Sequence, residues 1–160
     1  MPSELTRKDA ERLGQSVNGI VRQYIDAQNS IFKFSFARAL GLKRSDPAAA
    51  AARTEKLRAE VSNLLGDVRE LKLDADDPLG TFYMTLRPYL RGLDEAMEYF
   101  IGFCGRMAAA QREKRSHYWG QQYKDELLEF QEKERAYLAI GAELNKRWGE
   151  LKRSADSKRQ

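Results

Sequence analysis

The stretch QREKRSHYWG, residues 111–120, decides how many helices this chain forms. Upstream of it an apolar series steps by four and three through Leu86, Leu90, Leu93, Met97, Phe100, Cys104 and Met107. That spacing keeps one side of a helix apolar turn after turn. Continued forward, the series falls on 111, 114, 118, 121, 125 and 128, whereas the downstream apolar series is Tyr123, Leu127, Phe130, Tyr137, Leu144, Trp148 and Leu151. The phases disagree, so the spacing predicts a break within 112–122, at Ser116 or Gly120. One continuous helix with a stutter is the competing arrangement.

Working outward, two further segments carry the same rhythm. Thr6, Ala10, Leu13, Val17, Ile20, Tyr24, Ala27, Ile31 and Phe34 form one series, with Gly41 as a stop. Leu57, Val61, Leu64, Val68 and Leu71 form another. Asp46-Pro47 and Asp77-Pro78 read as helix starts, an Asp cap followed by a Pro whose missing N–H costs nothing in the first turn. Pro88 is expected to kink the third helix, and Gly102 and Gly105 to admit another backbone. The expected fold is all-α: an antiparallel, up-and-down bundle with coiled-coil-like packing, its helices over about 4–42, 47–73, 78–115 and 120–153. Residues 1–153 would form one domain, followed by a polar tail at 154–160.

Of the 160 residues, 42% are hydrophobic and 32% charged, enough to fold and enough to wet the outer faces of long amphipathic helices. The 28 basic and 24 acidic residues leave a net charge of +4, a mixed surface and not a polybasic one. Cys104 is the single cysteine, which removes intrachain disulfides and CxxC metal sites and suits a reducing compartment. Residues 1–14 lack the apolar core of a signal peptide, and the run YFIGFCG at 99–105 is too short to span a bilayer. A cytoplasmic location and no membrane association are therefore expected.

Few constellations suggest chemistry. The Asp74, Asp76, Asp77 cluster fails as a calcium loop, because Pro78 and Leu79 stand where an Asp or Asn and a Gly are needed. A di-iron carboxylate bundle needs two Glu-x-x-His motifs, and His117 is the lone histidine. No metal or other cofactor is expected. Glu134 occupies a core-facing place in the fourth series, where a carboxylate must find a partner. An Arg or Lys from another helix is the expected one.

Arg112 and His117 form R-x-x-x-x-H. This resembles the R-x4-6-H signature of the HEPN ribonucleases, small helical bundles that cleave RNA without metal at a dimer interface. The resemblance implies a His that moves protons and an Arg that steadies phosphorane charge. It covers six residues and departs from the family at Glu113, where Asn, Asp or His is usual.

Arg106, Arg112, Lys114, Arg115, Tyr118, Trp119 and Lys124 interleave cations with aromatic rings, the composition of a single-stranded nucleic-acid patch. The same composition also serves to seal a core and neutralise a helix C-terminus. Ile31, Phe32, Phe34 and Phe36 wrap apolar surface around most of one turn and form a candidate partner interface. The leading expectation is a non-enzymatic interaction or assembly protein, a homodimer or a subunit of a larger complex. A basic nucleic-acid-binding subunit is the alternative, and the HEPN-like ribonuclease the second.

Overall fold

Asp46 and Asp77 start helices as their Asp-Pro pairs predict. Asp46 accepts the Ala49 amide at 3.0 Å and Asp77 accepts the Leu79 amide at 3.1 Å, each with Pro in the first turn. The computed structural model describes residues 7–32 and 45–157. These hold α1 (Arg7–Phe32), α2 (Pro47–Arg69), α3 (Pro78–Arg112), a 3-10 turn (Ser116–Trp119) and α4 (Gln121–Ser157), with no strand among the described residues. Thr6, Gly41 and the expected extension of the first helix beyond Phe32 lie outside the described residues.

Pairwise contacts fix the topology. Ser30 meets Arg53 across α1 and α2, while Ile20 and Leu64 line one groove farther along, so the two helices are antiparallel. Arg58 pairs with Asp94 at 2.8 Å, and Arg87 reaches back to Val68, which makes α2 and α3 antiparallel. Phe103 packs on Tyr123, Tyr89 on Tyr137 and Phe82 on Trp148, which does the same for α3 and α4. The result is the expected up-and-down bundle of four helices.

The core follows the predicted stripes closely. Every member of the α3 series from Leu86 to Met107 is buried, joined by Phe82, Tyr83, Tyr89, Ala96 and Phe103 on a wider arc. In α2, Leu65 is buried and Leu64 turns toward the edge shared with α1, so Leu65 takes the core place at this one turn and the stripe is back in its expected register at Val68.

Two expectations change. The α2 helix ends at Arg69 and not near 73, because the Arg87 side chain takes its terminal carbonyls: Nη2 donates to Val68 at 2.8 Å and Leu71 at 3.0 Å. The α3 helix runs through Pro88 as its expected span requires; Pro88 lies on the exposed face, where water can serve the Met84 carbonyl left without a donor. The close backbone approach belongs to Gly92: a Cβ there would stand 2.9 Å from Tyr137 Cβ, whereas at Gly105 it would meet nothing within 4 Å.

Candidate functional site

The 112–122 break is a Schellman turn. The Arg115 amide donates to Ala110 at 2.9 Å and the Lys114 amide to Gln111 at 3.4 Å, around Lys114 at φ 53°. Helix α3 therefore stops ahead of Ser116, and Ser116 and Gly120 instead bound the 3-10 turn. This turn carries Tyr118 into the core end, where it packs edge-on against Trp119 at 5.1 Å. Tyr123 closes the cluster, 5.6 Å from both Trp119 and Phe103.

The aromatic members of the basic–aromatic patch are thus taken up within the chain, while its five cations, Arg106 and Arg115 included, are exposed. Tyr118 is buried and Trp119 half-buried, so their faces serve the bundle end. Arg106 is paired with Glu126 and lies over the Tyr99 ring, and Arg115 is paired with Glu113. Burial pushes the Tyr118 hydroxyl up from its ordinary pKa, and the Glu126 carboxylate beside it adds to the shift. Arg112, Lys114, His117 and Lys124 are exposed. Arg112 ends α3 and His117 lies in the 3-10 turn, so the left-handed Lys114 stands between them in the chain.

Of the candidate interface residues, Ile31 is buried, and the Phe32 ring lies 5.7 Å from Phe130, 6.1 Å from Phe103 and 6.2 Å from Phe100. Both are thus used within this chain. Phe34 and Phe36 lie outside the described residues.

Glu134 has partners of a different kind from the expected cation. Tyr24 Oη donates to Oε1 at 2.8 Å, the Gln28 amide to the same oxygen at 3.3 Å, and Tyr137 Oη to Oε2 at 2.6 Å. Burial raises the pKa of this carboxyl, and the three donors only partly oppose that. Both tyrosine hydroxyls are raised in turn, first by burial and then by the adjacent Glu134. Cys104, by contrast, has no such neighbour: burial alone pushes its thiol up to about 12, an unreactive state.

The feature that sequence reading missed is a cleft of about 340 Å³ where α1, α3 and α4 meet. Its floor is apolar: Val17, Phe82, Leu86, Leu144 and Trp148, with the Phe82 and Trp148 rings 5.4 Å apart. Gly14 opens the α1 wall, and a Cβ there would meet nothing within 4 Å. Gln15, Asn18 and Asn145 supply amides at the exposed rim. At the mouth, Lys152 Nζ stands 5.1 Å from the centre of the Trp148 ring, and Glu11 is paired with Arg7 at 3.4 Å. The sequence signal was a glycine beside Leu13 in an otherwise regular helical stripe.

Among the described residues, no group of three or more His, Cys, Asp or Glu is placed to hold a metal ion, and no helix is long and apolar enough to cross a membrane. Comparison of the chain with protein-family models, with curated proteins and with solved structures finds no match.

Proposed function

We propose that this chain is a non-catalytic helical interaction protein that self-associates or joins a larger assembly through the outer side of α4. One observation carries the reading: Leu128 and Leu138 of α4, 59% and 55% exposed, are the most exposed large apolar side chains among the described residues, ahead of Ile25 and Met84. Leaving two leucines more than half in water forgoes on the order of 1 kcal/mol of burial at each, which a partner surface would recover.

Light scattering over a concentration series tests it. The expected mass is a multiple of the 18.4 kDa chain that falls to one copy in a Leu128→Glu, Leu138→Glu variant of unchanged helicity. A single-copy mass for both proteins at every concentration overturns self-association. Salt-sensitive binding of single-stranded RNA, or RNA cleavage lost in His117→Ala, would replace the reading with one of its two alternatives.

A further inference from the structure

We propose that the cleft between α1, α3 and α4 binds a small amphipathic organic anion, a molecule with a flat or branched apolar body and one carboxylate- or sulfonate-type head. This goes beyond the assembly role and does not depend on it, since neither Leu128 nor Leu138 lines the cleft.

Size comes first. At about 340 Å³ the cleft sits at the small end of the range of ligand pockets, roughly 300–1,000 Å³. Its composition is that of such pockets too: an apolar, partly aromatic floor with a few polar groups at one edge. Half-buried Trp148, backed by the Phe82 ring inclined to it at 49°, gives a ring-shaped body a face to lie against. The Asn18 and Asn145 amides, on opposite walls, offer both donors and acceptors to a heteroatom held between them.

Charge selects the head group. Glu11 is paired with Arg7 at 3.4 Å, while the Lys152 ammonium lies over the Trp148 ring, 5.1 Å from its centre. The mouth therefore presents a cation over the Trp148 part of the apolar floor. A ligand that laid its body on Trp148 would bring an anionic head to that ammonium. Gly14 maintains the opening: glycine within a helix costs about 1 kcal/mol relative to alanine, and here any side chain would project into the cleft.

The probe is 8-anilinonaphthalene-1-sulfonate, with uncharged N-phenyl-1-naphthylamine as its neutral counterpart. The chain has two tryptophans, so Trp119→Phe leaves Trp148 as the sole indole reporter. Dye emission in the unaltered chain gives the affinity independently of that change. The expected result is saturable quenching of Trp148 by the sulfonate. Gly14→Leu should raise thermal stability and weaken binding of both dyes roughly tenfold or more. Lys152→Gln should weaken only the sulfonate, by about three- to tenfold. Three results would overturn the assignment: quenching that does not saturate, affinity unchanged in a folded Gly14→Leu protein, or equal effects of Lys152→Gln on both dyes.

Discussion

Tyr24 and Glu134, 110 residues apart, are joined by a 2.8 Å hydrogen bond that ties α1 to α4. Tyr137 from α4 itself takes the other carboxylate oxygen. A buried hydroxyl left without an acceptor costs about 1–3 kcal/mol, so removing the shared acceptor costs more than removing one donor. Glu134→Leu is expected to lower stability in urea by on the order of 2–4 kcal/mol, and Tyr24→Phe by about 1 kcal/mol. If Glu134→Leu is as stable as the parent, this three-donor arrangement is not holding the helices.

The same carboxyl gives a pH signature. Its pKa is raised in the folded protein, so the folded state holds the proton more tightly than the unfolded chain. Its contribution to stability is then fully present below the unfolded value and is lost as pH rises through the folded one. Relative to Glu134→Gln, the parent should gain stability as pH is lowered from neutrality toward 4.5, the ordinary value for Glu. Urea midpoints of the two proteins at several pH values read this directly, and parallel curves would contradict it.

Lys114 holds a left-handed conformation, φ 53°, at the position where a Schellman turn favours glycine. Lys114→Gly should stabilise the bundle by about 0.5–1 kcal/mol, a rise of roughly 1–4 °C in Tm. Lys114→Ala should give no such gain, since alanine suffers the same steric cost. Calorimetry on the pair separates backbone strain from loss of the lysine charge.

Gly92 and Gly105 lie in one helix and predict opposite signs. A methyl group at Gly92 would crowd Tyr137 Cβ at 2.9 Å, and α4 would have to shift to relieve it. Gly92→Ala should cost about 1–3 kcal/mol. Gly105→Ala meets open space and should add up to about 1 kcal/mol through helix propensity alone. Thermal unfolding followed by circular dichroism checks both, and two changes of the same sign would refute the assigned approach of α3 and α4.

The bundle was legible because its residues repeat a single decision. Leu86 through Met107 need only one apolar face, and spacing records that directly. Asp46 and Asp77 were legible for a similar reason, since their caps act within three residues. The end of α2 was hidden because Arg87, nearly twenty residues downstream, supplies the donors. The break at Lys114 was hidden because lysine has no preference for that conformation, while Ser116 and Gly120 advertised themselves. Glu134 announces a need for a partner, but Tyr24 and Tyr137 stand in the apolar series, and spacing carries no sign of what their hydroxyls do. The cleft was hidden most deeply, since it arises from a side chain Gly14 does not have and from the looser approach of α1 to α4.

Arg87 gives the α2–α3 corner an unusual mechanical character. One guanidinium from the body of α3 grips the backbone oxygens of Val68, Arg69 and Leu71 at once. The last turn of α2 therefore cannot unravel by itself: to fray, it must first pull a cation off three carbonyls and return it to water. Amide exchange at that terminus should track global opening of the bundle and not the fast local breathing usual at a helix tip.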